Sequence, residues 1–218
     1  GRYSYRPGTG VRLWNKHTKK AEDYAVRFLF ADRKGRLWFP EEGKLKKTAD
    51  LSYFTTVASD RWLGDHMLGM GYSKEDSNKL LYVTRDDIGL IRNDSAIQLI
   101  DALPFLETVK DRFTTFLVHD SILMMGSNKG LYAYHIRSNT LHTIDTASMI
   151  NIRTIYKDRD GLIWVGTYGQ GLHLFRNGSL TRVPADRKYS LSIIHCIFED
   201  HSGYFWLSTN HGIYKTRK

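Results

Sequence analysis

The sequence predicts an all-β chain of repeated four-stranded antiparallel units, and three observations predict it. A DxxG turn followed by a tryptophan recurs with a period of 42 residues, the runs flanking it are short and alternate in apolar character, and 18 glycines and 13% aromatic residues accompany only four prolines in 218 residues. Short strands joined by glycine turns need that composition. Aromatic and β-branched side chains fit a pleated surface, and glycine supplies the backbone angles of tight turns.

The period governs every later assignment. Residues 152–175 read IRTIYKDRDGLIWVGTYGQGLHLF, and residues 194–214 read IHCIFEDHSGYFWLSTNHGIY. Asp158, Gly161 and Trp164 recur as Asp200, Gly203 and Trp206, 42 positions on, while Asp32, Gly35 and Trp38 stand 126 positions, three periods, before the first set. Two weaker copies fill the gap, LLYVTRDDIGLIRND over 80–94 and ILMMGSNKGLYAYHI over 122–136, with Leu81 and Met124 near the place of the tryptophan.

Each unit reads as four strands: an apolar run such as 152–156, the DxxG turn, a run such as LIWVGT, a polar glycine turn, LHLF, another turn, and LTRV. In the DxxG turn the aspartate bonds its own backbone and the glycine takes the positive φ. Val26, Phe28 and Phe30 alternate at strand spacing. Residues 94–103, DSAIQLIDAL, carry a helix N-cap signal, but the repeat places a fourth strand there.

Four-stranded units of about 42 residues have the size of propeller blades. The blades are expected over residues 1–23 (partial), 24–57, 64–101, 111–146, 150–184 and 192–218 (partial), all within a single segment spanning 1–218. Gly1–Tyr5 matches Gly130–Tyr134, so the chain is expected to open on a third strand and to close on another at Gly212–Lys215. That gives 21 strands in an open arc of about five blades, cut from a larger ring.

Composition removes several classes. With 41% hydrophobic and 25% charged residues the chain is neither disordered nor low in complexity. One cysteine forms no internal disulfide and no thiolate zinc cluster. No run nears the ~18 apolar residues of a membrane span, and the first residues lack a signal-peptide core.

The pattern φxxφφxDxxGφφWφGTxxxGφxxφ, with φ an apolar residue, resembles the two-component regulator propeller repeat. Residues 152–175 and 194–214 match it closely, residues 26–38 match up to the tryptophan, and the two middle copies match in outline. The pattern departs at Phe39-Pro40, where an irregular turn is expected. The resemblance implies seven-bladed rings on the outer side of the cytoplasmic membrane, in bacterial sensors that present a ligand, often an oligosaccharide, to a linked signalling module. It implies no chemistry in this chain, no cofactor, and membrane attachment only through other segments.

In such a ring the hairpin between second and third strands lies on the ligand face. The tips are Glu41-Glu42, Arg85-Asp86-Asp87, Asn128-Lys129, Tyr168-Gly169-Gln170 and Asn210-His211, which differ while their frame repeats. Planar amides, charges and the Tyr168 ring suit sugar hydroxyls and apolar sugar faces, although hairpin tips are also polar simply because they are wet. His66 and His195, at first strands, are further candidates for facing a ligand.

Other signals carry bland readings. GTYGQG lacks the GK[ST] ending and precedes a strand, so it is a turn and not a phosphate loop. DRDG lacks the glutamate of a calcium loop, and no metal site is expected. The recurring tryptophans read as blade packing, and Cys196 as a small core residue. The net charge of +9 is spread along the chain, which argues against nucleic acid and leaves an acidic glycan open. The competing functional classes are a protein-interaction or homodimerisation scaffold and a propeller glycosidase or lyase, the latter needing paired carboxylates.

Overall fold

The computed structural model describes residues 3–6, 10–15, 20–24, 29–41, 43–50, 53–57, 63, 66–72, 79–102, 105–107, 110–145, 150–184 and 191–217; residues 3–24 are described by backbone pairing alone. Among them lie six antiparallel sheets whose strands neighbour one another in chain order. The first holds β1 (Tyr3–Arg6), β2 (Gly10–Asn15) and β3 (Lys20–Tyr24). The second holds β4 (Phe30–Ala31), β5 (Leu37–Glu41), β6 (Lys44–Thr48) and β7 (Thr55–Thr56). The third holds β8 (Met67–Tyr72), β9 (Leu80–Thr84), β10 (Asp87–Arg92) and β11 (Ser95–Asp101).

The fourth sheet holds β12 (Phe113–His119), β13 (Ile122–Ser127), β14 (Leu131–His135) and β15 (Thr140–Asp145). The fifth holds β16 (Ile152–Lys157), β17 (Ile163–Thr167), β18 (Leu172–Arg176) and β19 (Ser179–Arg182). The sixth holds β20 (Ile194–Glu199), β21 (Tyr204–Thr209) and β22 (Gly212–Arg217). Contacts divide the chain into two compact units, residues 1–72 with 76–102, and residues 103–218 with 73–75.

The all-β blade architecture is the one the repeat predicts, with two refinements. Within the 94–103 segment, Ser95–Asp101 form strand β11, so tertiary pairing with β10 overrides the local helix signal. The first sheet has three strands where the repeat predicts two, because β3 pairs along β2 from Val11↔Tyr24 to Asn15↔Lys20. This gives 22 strands among the described residues in place of 21. Val26 and Phe28 lie outside the described residues, as do the two chain ends on which the expected open arc depends. Pro40 causes no break: β5 runs through it, paired to Leu45.

The DxxG–Trp motif is one hydrogen-bonded device. In the second sheet Asp32 Oδ1 accepts the backbone N–H groups of Lys34 and Arg36, both at 2.9 Å, while Oδ2 accepts the Trp38 indole N–H at 2.8 Å. The same indole bond, again 2.8 Å, joins Trp164 to Asp158 and Trp206 to Asp200. Gly35, Gly161 and Gly203 close the three turns with φ of 74°, 86° and 78°. The aspartate thus fixes the turn and anchors the ring that the blade offers to its neighbour.

That ring packs between blades. Trp38 joins Leu63, Met67, Met70, Leu80 and Tyr82 of the following blade in the core of the first unit. In the second unit Trp164 meets Phe205 edge-on, with ring centroids 5.0 Å apart. Strand register puts Leu81 and Met124 in the corresponding positions of β9 and β13, and both are buried. Two positions past Trp164 the next blade approaches the backbone closely. A Cβ on Gly166 would lie 2.6 Å from Thr154 Cγ2 and 2.8 Å from Ile194 Cγ2, so the next blade's first strand sits directly on the glycine backbone.

The sixth sheet shows the same face uncovered among the described residues. Trp206 is 38% exposed against 8% for Trp164, and Phe198 and Ile213 are 56% and 72% exposed. Cys196 shares this sheet and is exposed. The core assignment for Cys196 is therefore corrected: alternation along a strand buries a residue only where a neighbouring layer covers that face.

Candidate functional site

In the third to sixth sheets the tips of the second-to-third-strand hairpins are built by the hydroxyl residue that ends the second strand. Thr167 Oγ1 accepts the Gln170 N–H at 3.1 Å and donates to the Gly171 carbonyl at 2.8 Å. Thr209 repeats this with the His211 N–H and the Gly212 carbonyl. Ser127 accepts the N–H groups of Lys129 and Gly130. Thr84 accepts those of Asp86 and Asp87. These bonds occupy backbone N–H groups of each turn with a side-chain acceptor from the preceding strand.

A second recurring device lies beside the tips. At the start of four first strands the register slips by one residue against the second strand, between Met67 and Gly69, Phe113 and Thr115, Ile152 and Thr154, and Ile194 and Cys196. The unpaired residues are Leu68, Thr114, Arg153 and His195. A bulge of this kind bends the strand and re-aims the extra side chain.

In the first unit Glu41 ends β5 and its carboxylate pairs with Lys46. Glu42 lies outside the described residues. Arg85 is exposed, and Asp86 lies 3.8 Å from the exposed His66. Asp87 leaves the tip set. It is the first residue of β10, 7% exposed, and its carboxylate accepts the Gln98 amide.

The second unit brings more together. Arg153 lies over the Tyr168 ring, 5.2 Å from its centroid, and Tyr168 keeps half its surface exposed. The tip of the fifth sheet is stitched to both flanking segments. Tyr168 N–H donates to the Asn151 carbonyl at 2.7 Å, and the N–H groups of Gly169 and Gly171 donate to the Ser192 carbonyl. Tyr168 also forms a backbone bridge with Ile193, two residues before His195. His195 Nε2 and Asn210 Oδ1 are 2.6 Å apart, a contact in which the ring N–H donates. Arg153, Tyr168, His195 and Asn210 therefore occupy one continuous stretch, with Gln170 and His211 on the same two tips. Asn151 Oδ1, at this corner, is buried with no hydrogen-bond partner among the described residues.

Beneath the Asn128-Lys129 tip lies a buried polar cluster that the sequence did not signal. Asp111, 3% exposed, accepts the Ser127 hydroxyl at 2.6 Å and the Tyr132 hydroxyl at 2.8 Å. Burial, and then the hydrogen bond and charge of Asp111, raise the Tyr132 pKa well above its ordinary value. Phe105 and Phe113 pack edge-on against the Tyr132 ring. The cluster braces the tip.

Open volume lies at the opposite, DxxG end of the blades. In the second unit a cleft of about 370 Å³ runs between the fourth and fifth sheets, lined by Ile122, Met124, Ala133, Leu162, Phe175 and Arg176. It opens where Met124 stands in the tryptophan position. In the first unit a cleft of about 480 Å³ is lined by Arg33, Arg36, Trp38 and Tyr72. Among the described residues no group of three or more His, Cys, Asp or Glu side chains is placed to hold a metal ion.

Arg153 escaped the sequence reading. Its one signal is positional: in the 42-residue repeat it aligns near His195, which was singled out, but only the paired strand shows that both residues are bulged.

Comparison with known proteins agrees with the repeat. The family model described as two component regulator propeller matches residues 147–169 and 188–211. The match covers two of the repeats. These repeats include the fifth-sheet hairpin to Gly169 and the segment bearing His195 and Asn210. No curated protein matches the sequence.

Among solved structures, the chain is similar to the extracellular domains of two proteins described as hybrid two-component systems of B. thetaiotaomicron. For BT4673 the identity is 18% and the TM-score 0.71, over 96% of this chain and 30% of that one. For BT3049 the identity is 16% and the TM-score 0.70, over 96% of this chain and 31% of that one. It is also similar to virginiamycin B lyase from Staphylococcus aureus, at 12% identity and a TM-score of 0.61, over 99% of this chain and 83% of that one. At these identities the likeness is one of fold, and the chain spans about a third of the length of the two-component domains.

Proposed function

We propose that this chain is part of the extracytoplasmic sensor region of a bacterial two-component regulatory protein. In this reading the hairpin tips recognise a carbohydrate-type ligand, and occupancy is passed to a signalling module elsewhere in the parent protein. The likeness to extracellular domains of hybrid two-component systems supports the location and the linkage. One observation carries the ligand reading: on a frame held constant by Ser127, Thr167 and Thr209, the tips of the second unit bear an exposed aromatic ring under a guanidinium and an exposed imidazole–amide pair. Ring, planar donors and planar acceptors on rigid turns are what sugar recognition needs. Ligand binding would shift signalling by its differential affinity for two arrangements of the parent protein. Calorimetry of the full sensor region against a panel of oligosaccharides tests this, and absence of binding to every glycan would overturn it.

One observation favours a second reading, a protein-interaction or homodimerisation scaffold. Phe198, Trp206 and Ile213 form an exposed apolar face on the sixth sheet. The equivalent tryptophan in the fifth sheet is covered by the next blade. Sedimentation of the full sensor region separates the readings: a monomer with Trp206 shielded from solvent leaves no role for this face in self-association. The likeness to a lyase, at 12% identity, is one of fold.

A further inference from the structure

We infer that the bulge residues Arg153 and His195, with Tyr168 and Asn210, form a subsite for a sugar unit bearing an oxyanion, a carboxylate or a sulfate; this rests on the tip-face ligand reading above and names the ligand class for it. Four features carry the inference. Arg153 and His195 occupy the same bulged position on β16 and β20, so both side chains are released from the pairing pattern at equivalent heights. Both are exposed, and neither pairs with a carboxylate among the described residues. The Tyr168 ring under the guanidinium restrains its planar fork without neutralising it. A fork presented in that way matches the two oxygens of a carboxylate or sulfate.

The remaining groups supply complementary chemistry. The half-exposed Tyr168 ring offers apolar surface for a sugar face. With Nε2–H donating to Asn210 Oδ1, the His195 ring turns Nδ1 toward other partners, and the Asn210 amide N–H₂ remains a donor for a hydroxyl. The tips of the first unit provide a contrast: Asp86 faces His66, Glu41 is paired with Lys46, and the bulge residue is the apolar Leu68. The anionic preference thus belongs to the fifth and sixth sheets.

The test is calorimetric titration of the full sensor region with size-matched oligosaccharides that are neutral, uronic-acid-bearing or sulfated. The acidic chains are expected to bind at least tenfold more tightly than the neutral one, and the carboxylate and sulfate arms identify which oxyanion is preferred. Arg153→Gln should remove that preference, Arg153→Lys should keep only part of it, and His195→Gln should weaken acidic and neutral chains alike. Arg176→Gln, an exposed arginine at the other end of the blades, should change nothing. Thermal melts matching wild type establish that the variants fold. Equal affinity for neutral and acidic chains, or an equal loss in Arg153→Gln and Arg176→Gln, overturns this subsite while leaving the sensor reading intact. Failure of every glycan to bind overturns both.

Discussion

Gly166→Ala isolates the packing of one blade on the next. Gly166 is in ordinary strand conformation, so alanine there incurs no penalty from positive φ. The substitution would instead gain roughly 0.4–1 kcal/mol by restricting the unfolded chain. Against this, the added methyl would stand 2.6 Å from Thr154 Cγ2 within its own blade and 2.8 Å from Ile194 Cγ2 of the next. Neither neighbour is the far end of a flexible side chain, since both methyls are fixed by β-branched rotamers. Overpacking of this kind costs about 1–3 kcal/mol. The net effect is destabilising by about 1–2 kcal/mol, which for a chain of this size lowers the melting temperature by roughly 2–4 °C per kcal/mol. Thr154→Ser deletes the nearer methyl and should recover part of the loss when combined with Gly166→Ala, giving a coupling of about 0.5 kcal/mol or more in a double-mutant cycle. Urea denaturation of the four proteins measures both quantities. A neutral or stabilising Gly166→Ala, or strict additivity with Thr154→Ser, would refute the proposed close approach.

Trp164→Phe, losing the Asp158 hydrogen bond and contact with Phe205, should cost about 1–3 kcal/mol. Trp206→Phe should cost clearly less, because the ring is 38% exposed; urea midpoints compare the two. For Asp32, burial alone would raise the pKa, but hydrogen bonds from the Trp38 indole, the Arg36 backbone and the Arg36 side chain, with its charge, together hold it below the ordinary 3.8. Its contribution to stability is therefore present above pH 3.8 and lost as pH falls through the lower folded-state value, so Asp32→Asn should flatten the acid side of the stability profile. Tyr132→Phe leaves Asp111 without one of its hydroxyl donors and should destabilise by about 1–3 kcal/mol in the same assay. Its raised pKa gives a contribution intact below 10.0 and lost as pH rises beyond it.

The fold was legible wherever a residue's role is local and repeated. Asp158, Gly161 and Trp164 announce a turn and a packing ring by their spacing alone, and the same spacing brings Leu81 and Met124 near the two degenerate positions, which strand register then assigns to them. The extra strand β3 was not legible, because Lys20–Tyr24 carries little apolar alternation and is a strand through its pairing with β2. For the site, the tips could be read as tips. Asp87 could not be told from Asp86, since one residue of register decides whether a carboxylate faces water or Gln98. Arg153 was hidden for the related reason that a bulge exists only between two strands. Cys196 shows the limit of alternation, which marks a face without saying what covers it.

The bulge at the head of four first strands also bears on how such a surface changes over time. Its occupant is exempt from cross-strand pairing, and the flanking residues carry the ladder. Leucine, threonine, arginine and histidine have all been accepted at the four described positions without disturbing the strands on either side. At these four positions side-chain chemistry varies while the ladder around them persists. In the second unit, which holds three of them, such a surface can drift from one ligand to another, one blade at a time, while the scaffold beneath stays the same.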